Sequence, residues 1–272
     1  MTFQTLANQW LTERKGHLTE STRTRLGYAV GSLSRSFSFF ANGSALVFRR
    51  DLLKWEKSRR SALLPGSFNL ELNTLKEITA YALGEGLIEV DPAAPIRPQP
   101  VSYAALEIPT KEEYHNVIKV LGADEADAVT ILACTGLRHG EYLSLTWDDV
   151  DFRRGMIVVG RDGRTKGKTS REVPIMPPLA PVLGRRSGKG RVAPVNDLRY
   201  PVKRACASLG LPAYHAHHVW RHFFATESLA AGVPVEVLAR WLGHKDGGAL
   251  ILKTYITVHE ARSKQWATKF SV

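Results

Sequence analysis

Four short patterns in the second half of the 272-residue chain contribute side chains that could act together on a phosphodiester. In chain order, their principal residues are Arg138, Lys166, His218 with Arg221, and His244 followed eleven residues later by Tyr255. Arginine presents a planar fork of N–H groups that matches two phosphate oxygens, so two arginines can neutralise charge developing on a pentavalent phosphorus. A lysine in a cationic cluster can give a proton to a leaving alkoxide. The residue types therefore predict nucleophilic displacement at phosphorus.

Tyr255 is the candidate nucleophile, and the same cluster supplies what a tyrosine needs. A phenol with an ordinary pKa of about 10 is a poor nucleophile at neutral pH. A neighbouring base or a strongly positive field activates it, and the histidines and arginines offer both. The four patterns contain no carboxylate cluster of the kind that holds Mg²⁺. We therefore predict that cationic side chains take the place of a metal and that no cofactor is used.

Each pattern also has an ordinary structural interpretation when it is taken alone. Residues 135–141 fit a turn between helices, residues 165–168 a solvated basic turn, and residues 241–244 the end of a helix. An isolated tyrosine is most often a packing residue. The specific prediction comes from the joint occurrence of the four patterns in one chain.

A metal site built from histidines is a rival hypothesis. The histidines in question are His215, His217, His218 and His222. His218 and His222 have the i, i+4 spacing that can chelate zinc. However, no glutamate lies between them as in the metalloprotease motif, and Arg221 would place positive charge beside the metal. We therefore predict no metal, and we expect His215, His217 and His222 to pack or to contact a nucleic acid.

Turn signals and hydrophobic spacing indicate which elements position these residues. Gly136 is predicted to end one helix and Arg138 to begin the next, with Glu141 one turn later able to brace the guanidinium. His218 and Arg221 are three residues apart and so share one face of a helix. Two short strands, 156–159 and 171–175, are predicted on either side of a hairpin rich in glycine and lysine.

The first part of the chain is predicted to be a separate helical domain. Apolar residues recur at helical spacing through residues 1–90 and predict about four helices. Four prolines in residues 91–100 favour an extended, semi-rigid connector. Thr110 and Glu113 then form a capping-box pattern that starts a helix of the second domain. The predicted fold class is mainly α with a small β-sheet, that is, α+β.

The charge of the chain points to a polyanionic partner. Lys and Arg number 37 against 26 Asp and Glu, a formal net charge of +11. Residues 151–210 alone hold 14 basic and 4 acidic side chains, and much of this stretch does not read as helix, so an amphipathic membrane helix explains it poorly. With two cysteines and no signal-peptide pattern, a reducing, cytoplasmic location associated with the nucleoid is expected.

The second half resembles the catalytic domain of the tyrosine recombinase (phage integrase) family. That family carries Thr-Gly-Leu-Arg-x-Gly-Glu, a hairpin lysine, His-x-x-Arg-His, Leu-Gly-His and a following tyrosine, and all occur here in this order. Lys166 lies eight residues before Pro174, the family's position for the hairpin lysine. The resemblance covers about residues 103–260. It implies a core-binding, DNA-clamping domain at 1–90, a Pro-rich linker at 91–102, and a catalytic domain with a C-terminal tail at 103–272.

The resemblance also implies a role for each motif residue. Tyr255 attacks the scissile phosphate to form a 3′-phosphotyrosyl link, and Lys166 protonates the leaving 5′-oxygen. The residues that hold and stabilise the phosphorane are Arg138, Arg221 and His244. His218 serves as base toward the tyrosine or helps to position it, while Glu141 orients Arg138. Rejoining then needs neither ATP nor metal.

Two departures from the family pattern bear on these assignments. Asp246, Gly247 and Gly248 lengthen the path from His244 to the tyrosine beyond the nine or ten residues common in the family. Lys168 is a rival to Lys166, since both lie in the hairpin. Further candidates for DNA contact are Arg23, Arg25, Arg49, Arg50, Arg59, Arg60, Arg164 and Lys168.

Two alternatives share much of the residue set. A type IB topoisomerase would use the same covalent chemistry to relax supercoils, whereas a helical domain ahead of the catalytic half favours a recombinase. A catalytically silent DNA-binding protein of the same fold is the other alternative. The resemblance further implies a homo-tetramer on two double-stranded DNA sites, joined by a C-terminal segment such as Glu260–Val272. The same chemistry serves phage integration, excision, chromosome-dimer resolution and mobile elements.

Overall fold

A computed structural model describes residues 1–37, 45–102, 107–161 and 170–244, with only the backbone described at residue 15 and at 45–48. The chain divides into two compact units, Met1–Ala104 and Ala105–Val272. Helices dominate both units, and the described part of the second also holds a three-stranded sheet. The predicted class, mainly α with a small sheet, is confirmed.

Unit 1 is built from helices that bury one apolar stripe each. In its described part the α-helices are α1 (Phe3–Glu13), α2 (Glu20–Ser36), α3 (Ala45–Ala62) and α4 (Pro65–Gly84). Thr2 and Thr19 cap the first two helices by accepting hydrogen bonds from backbone N–H groups three residues on. Phe3, Phe37, Trp55 and Phe68 form a chain of ring contacts through the core.

The proline-rich segment after α4 packs on unit 1. Ala93 and Ile96 are buried in the core of that unit. The Asn69 side chain accepts a hydrogen bond from the Gln99 N–H at 2.7 Å and donates one to the Gln99 carbonyl at 2.8 Å. Because backbone that cannot be helical still needs partners, these side-chain bonds hold the extended chain against α4.

Unit 2 combines helices with a small sheet, and residues of both share one apolar core. Within its described residues, the α-helices are α5 (Lys111–Val120), α6 (Ala123–Thr135), α7 (His139–Ser144), α8 (Ala180–Arg186), α9 (Arg199–Ser208), α10 (Val219–Ala230) and α11 (Val235–Leu242). The predicted capping box of Thr110 and Glu113 is present at α5. Pro234 stands at the N-terminal cap of α11.

The sheet has the order β1-β2-β3 and is antiparallel. Its strands are β1 (Val150–Asp151), β2 (Met156–Val159) and β3 (Arg171–Pro174), so the predicted strand pair is confirmed. Ile157 faces Val173 across the β2–β3 pair, and both are fully buried. This register places one face of the hairpin arms against the helical core.

The core of unit 2 includes Trp220, Tyr142, Ile131 and Leu132, each with less than 2% of its surface exposed. Cys134 and Cys206 are buried and free, as expected for small apolar side chains. Among the helices that the structure describes, none is long and apolar enough to cross a membrane.

Candidate active site

A glycine turn between α6 and α7 leads directly into the candidate site. Gly136 has φ of +63°, a conformation that favours glycine. A Cβ at this position would lie 2.5 Å from Phe224 Cδ1 and 2.7 Å from Leu242 Cδ2. The absent side chain therefore lets the turn lie directly against α10 and α11, and it delivers Arg138 to the start of α7.

Glu141 braces Arg138, as the spacing predicted. The backbone N–H of Arg138 donates to Glu141 Oε2 at 2.9 Å, and its Nη1 donates to Oε1 at 3.1 Å. The carboxylate is buried, whereas the Arg138 side chain is 47% exposed. The buried Glu141 carboxylate thus holds the backbone and one guanidinium nitrogen of Arg138, while much of that side chain faces solvent.

Arg221 reaches the same place from α10. It is buried, with 5% of its surface exposed, and donates from Nη1 to the Gly136 carbonyl at 2.6 Å and from Nη2 to the Leu242 carbonyl at 2.7 Å. Arg138 Nη1 also approaches the Leu242 carbonyl, at 3.4 Å. Two guanidiniums that are 83 residues apart in the sequence therefore converge on one carbonyl oxygen.

Two histidines of the predicted set, His218 and His222, lie close to this arginine pair. His218 is the N-cap residue of α10, and burial together with the charges of Arg221, His215 and Arg138 lowers its pKa. The His218 and His222 rings meet edge to face with centroids 4.5 Å apart. Since both guanidiniums disfavour its protonation, His218 is neutral near pH 7 and able to accept a proton.

His244 belongs to the same electrostatic neighbourhood. It follows Gly243, whose φ of +66° ends α11, and its backbone N–H donates to the Ala239 carbonyl at 2.9 Å. Burial lowers the pKa of His222 to about 4, with further lowering by His218, Arg221 and His244. The structure thus brings four predicted residues together: Arg138, His218, Arg221 and His244.

Arg171 joins this group although its role was not predicted from the sequence. Its Nη1 and Nη2 donate to the two oxygens of Glu141 at 2.9 and 2.7 Å, and its Nε donates to the Trp241 carbonyl at 2.7 Å. One signal was available: Arg171 shares a face of β3 with Val173, which alternation predicts to point inward. An inward-pointing arginine needs a buried acceptor, and the sequence does not say which one.

Burial and neighbouring charge have opposite effects on the pKa of Glu141. Burial alone would raise the pKa of this carboxyl, but the hydrogen bonds and charge of Arg171, joined by those of Arg138, lower it to about 2. Glu141 is therefore ionised at neutral pH and acts as the anchor of two arginines. Among the described residues, no group of three or more His, Cys, Asp or Glu side chains is arranged to hold a metal ion.

Residues 110–262 match the phage integrase family. The chain is 32% identical over 245 residues to tyrosine recombinase XerA of Thermococcus kodakarensis, with 83% of this chain and 81% of that protein covered. It is 28% identical over 240 residues to tyrosine recombinase XerD of Mycobacterium tuberculosis, with 77% and 76% covered. This chain belongs to the phage integrase family. It is a site-specific tyrosine recombinase.

Solved structures of integrases have the fold of this recombinase. A lambda integrase dimer bound to a COC′ core site superposes with a TM-score of 0.77 at 16% identity, covering 91% of this chain and 96% of that one. The Tn1549 transposon integrase in complex with circular intermediate DNA gives 0.73 at 19% identity, covering 94% and 95%. The fold predicted for the recombinase by its motifs is therefore confirmed.

The predicted nucleophile and hairpin residues lie outside the described part of the recombinase. These are Tyr255, Lys166, Lys168 and Arg164, and the tail Glu260–Val272 lies there too. Their assignments remain predictions. Two described residues near these segments are in contact: Arg171, which follows the hairpin, donates to the carbonyl of Trp241, which lies three residues before His244.

The arginines predicted to touch DNA in unit 1 of the recombinase have different surroundings. Arg25, Arg49 and Arg50 are exposed. Arg59 instead pairs with Glu71, and Arg23 pairs with Glu20. Arg60 pairs with Glu56 and stacks over the Phe68 ring. DNA contact is a prediction for all six, and the geometry favours it most for the three exposed ones.

Proposed function

We propose that this recombinase cuts and rejoins double-stranded DNA through a covalent 3′-phosphotyrosyl intermediate on Tyr255. The observation that carries the proposal is the convergence of Arg138 and Arg221 on the Leu242 carbonyl, beside His218 and in the electrostatic neighbourhood of His244. Such a cluster offers N–H donors and positive charge to a phosphate without needing a metal.

In the proposed first step, the Tyr255 oxygen bonds to the scissile phosphorus and the bond from phosphorus to the 5′-oxygen breaks. The phenolic proton goes to a base, for which His218 is the candidate because its lowered pKa keeps it neutral. The 5′-oxygen leaves with a proton from Lys166, or from Lys168 in the alternative assignment. Atoms and charge balance, and the phosphotyrosine ester keeps the energy needed for rejoining.

The two arginines play unequal parts in this step. Arg221 is buried and tied to two backbone carbonyls, so its position changes little. Arg138 is half exposed and rests on Glu141, so it is the guanidinium more accessible to an incoming phosphate. Preorganised donors of this kind stabilise the phosphorane most because they need no rearrangement as its charge develops.

We further propose that the recombinase works as a homo-tetramer on two DNA sites. A lambda integrase tetramer bound to a Holliday junction has the same fold, with a TM-score of 0.74. Unit 2 also has an apolar cavity of about 660 Å³, lined in part by Tyr114, Met176, Phe223 and Phe224. The predicted tail, 260–272, carries two aromatic residues that suit such a surface on a neighbouring copy.

A nicked suicide substrate tests the proposed chemistry. Loss of a short 5′-hydroxyl fragment after cleavage prevents rejoining, so the wild-type chain should accumulate a covalent adduct that denaturing electrophoresis resolves. Tyr255→Phe should abolish the adduct, whereas Tyr200→Phe, which alters an exposed tyrosine of α9, should leave it unchanged. EDTA should make no difference.

Other outcomes separate the alternatives. DNA binding without any adduct would favour the catalytically silent DNA-binding protein and overturn the proposal. An adduct together with relaxation of supercoiled DNA, but no exchange between two sites, would favour a topoisomerase. An adduct that persists in Tyr255→Phe would show that another residue is the nucleophile.

A further inference from the structure

We propose that Arg171 is a positioning residue for cleavage, acting on the phosphate through Glu141 and Arg138. This inference rests on the proposed function, since it concerns the guanidinium that is to bind the scissile phosphate. Arg171 is 11% exposed and the partners named above are a buried carboxylate and a backbone carbonyl. Its role is therefore to hold protein groups, and it is not a catalytic residue.

The carboxylate of Glu141 is shared between the two arginines atom by atom. Oε1 accepts from Arg171 Nη1 at 2.9 Å and from Arg138 Nη1 at 3.1 Å. Oε2 accepts from Arg171 Nη2 at 2.7 Å and from the Arg138 backbone N–H at 2.9 Å. Because a two-pronged contact fixes the plane of a carboxylate, Arg171 sets the direction in which Glu141 holds Arg138.

Arg138 depends on the contact with Glu141 more than Arg221 does. Its side chain is 47% exposed, and its contact with the Leu242 carbonyl is long, at 3.4 Å. Arg221, in contrast, makes two contacts with carbonyls at 2.6 and 2.7 Å. Loss of Arg171 would therefore displace Arg138 while leaving the other guanidinium in place.

Arg171 also ties β3 to the segment that carries His244. Its Nε holds the Trp241 carbonyl, and Gly243 lies directly against its side chain. A Cβ at Gly243 would lie 3.1 Å from Arg171 Cδ and 3.1 Å from Nη1, so the glycine leaves room for the arginine. One side chain thus fixes the relative positions of β3, α7 and the end of α11.

A double-mutant cycle on single-turnover cleavage tests the inference. Arg171→Gln should slow adduct formation on the nicked substrate by about 10- to 100-fold, since misplacing a reacting group by about 1 Å can cost a factor of 100. In an Arg138→Ala background the same change should cost less than about threefold, because the group it positions is already absent. Arg154→Gln is the matched control: Arg154 makes a similar two-pronged contact with Glu172, at 2.7 and 3.0 Å, on an exposed part of the same sheet.

A substrate with a methylphosphonate at the scissile position supplies an independent readout. Replacing one charged oxygen by methyl removes the need for one guanidinium, so the Arg171→Gln defect should shrink in parallel with that of Arg138→Ala. A merely structural role would leave the defect equal on both substrates. Arg171→Lys keeps the charge but not the two-pronged contact, and it should fold and remain slow.

The outcomes that overturn the inference are separate from those that overturn the function. If the wild-type chain forms an adduct but Arg171→Gln and Arg171→Lys cleave at its rate, or lose equal factors with and without Arg138, Arg171 does not act through Arg138. If Arg171→Gln loses its fold by circular dichroism, Arg171→Lys decides the question alone. Failure of the wild-type chain to form an adduct would instead refute the proposed function.

Discussion

Replacing Glu141 by Gln should destabilise unit 2 in a way that depends on pH. The surroundings of Glu141 lower its pKa from 4.5 to about 2. Each pKa unit corresponds to about 1.4 kcal/mol, so the ionised carboxylate stabilises the folded state by roughly 3 kcal/mol at neutral pH. Glu141→Gln removes this contribution and leaves the Arg171 fork facing a neutral amide that offers one acceptor and one donor.

The direction of the pH effect follows from which state takes up the proton first. Above pH 4.5 the carboxylate is ionised in both states, and its stabilising contribution is complete. As the pH falls from 4.5 to about 2, the unfolded chain is protonated before the folded one, so the contribution declines and is lost below pH 2. The stability difference between wild type and Glu141→Gln should therefore be constant from pH 7 to pH 5 and shrink below that.

Urea-dependent hydrogen exchange in peptides from α6 and α7 would measure this difference within unit 2. Glu172→Gln is the control, because Glu172 forms its two-pronged pair with Arg154 in an exposed setting where solvent screens the charges. It should change stability far less. A Glu141→Gln effect no larger than that of Glu172→Gln, or a difference that does not vary below pH 5, would refute the idea that the shared carboxylate anchors the site.

Two further predictions concern the turn and the tail. Gly136→Ala should lower the stability of unit 2 by more than the roughly 1–2 kcal/mol of left-handed strain, because the new Cβ must also displace Phe224 and Leu242. Gly210→Ala is the control, because Gly210 has φ of +66° with open space around it and so shows the cost of the strain alone. Equal losses of stability in thermal unfolding would contradict the packing argument. Truncation after Val258 should spare cleavage of a nicked substrate but reduce strand exchange between two sites by about tenfold or more. The reason is that burying one aromatic side chain stabilises an assembly by about 1.5–3 kcal/mol. Equal exchange by the truncated chain would contradict a role of the tail in assembly.

Local signals in the sequence were sufficient to predict many of the elements around the site. Gly136 marks the end of α6 because only glycine readily adopts positive φ at a helix end, and the Thr110 capping box marks the start of α5. The three-residue spacing of Arg138 and Glu141 was enough to predict their contact, because residues at that spacing are neighbours on a helix.

Contacts between distant segments required the structure. The contact between Arg171 and Glu141 joins residues 30 apart, and no periodicity in the sequence connects them. The same is true of the Leu242 carbonyl, which accepts from both Arg138 and Arg221 although a backbone atom has no sequence signature. The candidate reactive side chains could be predicted because their types are distinctive, and so could the contact of Glu141 with Arg138, whereas the contacts of Arg171 and of the Leu242 carbonyl could not.

The charge balance of the site gives a reason for a carboxylate beside so many cations. Arg138, Arg171 and Arg221 together with Glu141 carry a net charge of +2, and His218 is neutral near pH 7. In the proposed reaction a phosphodiester of charge −1 becomes a phosphorane of charge −2, while the phenolic proton passes to His218 and raises the charge of the site from +2 to +3. Positive charge thus grows beside the phosphorus as negative charge develops on it, so the site stabilises the transition state more than the ground state, which is the condition for acceleration. Without Glu141 the net charge would be +3, and the extra attraction would stabilise bound DNA as well as the phosphorane, while Arg138 would lose the contact that directs it.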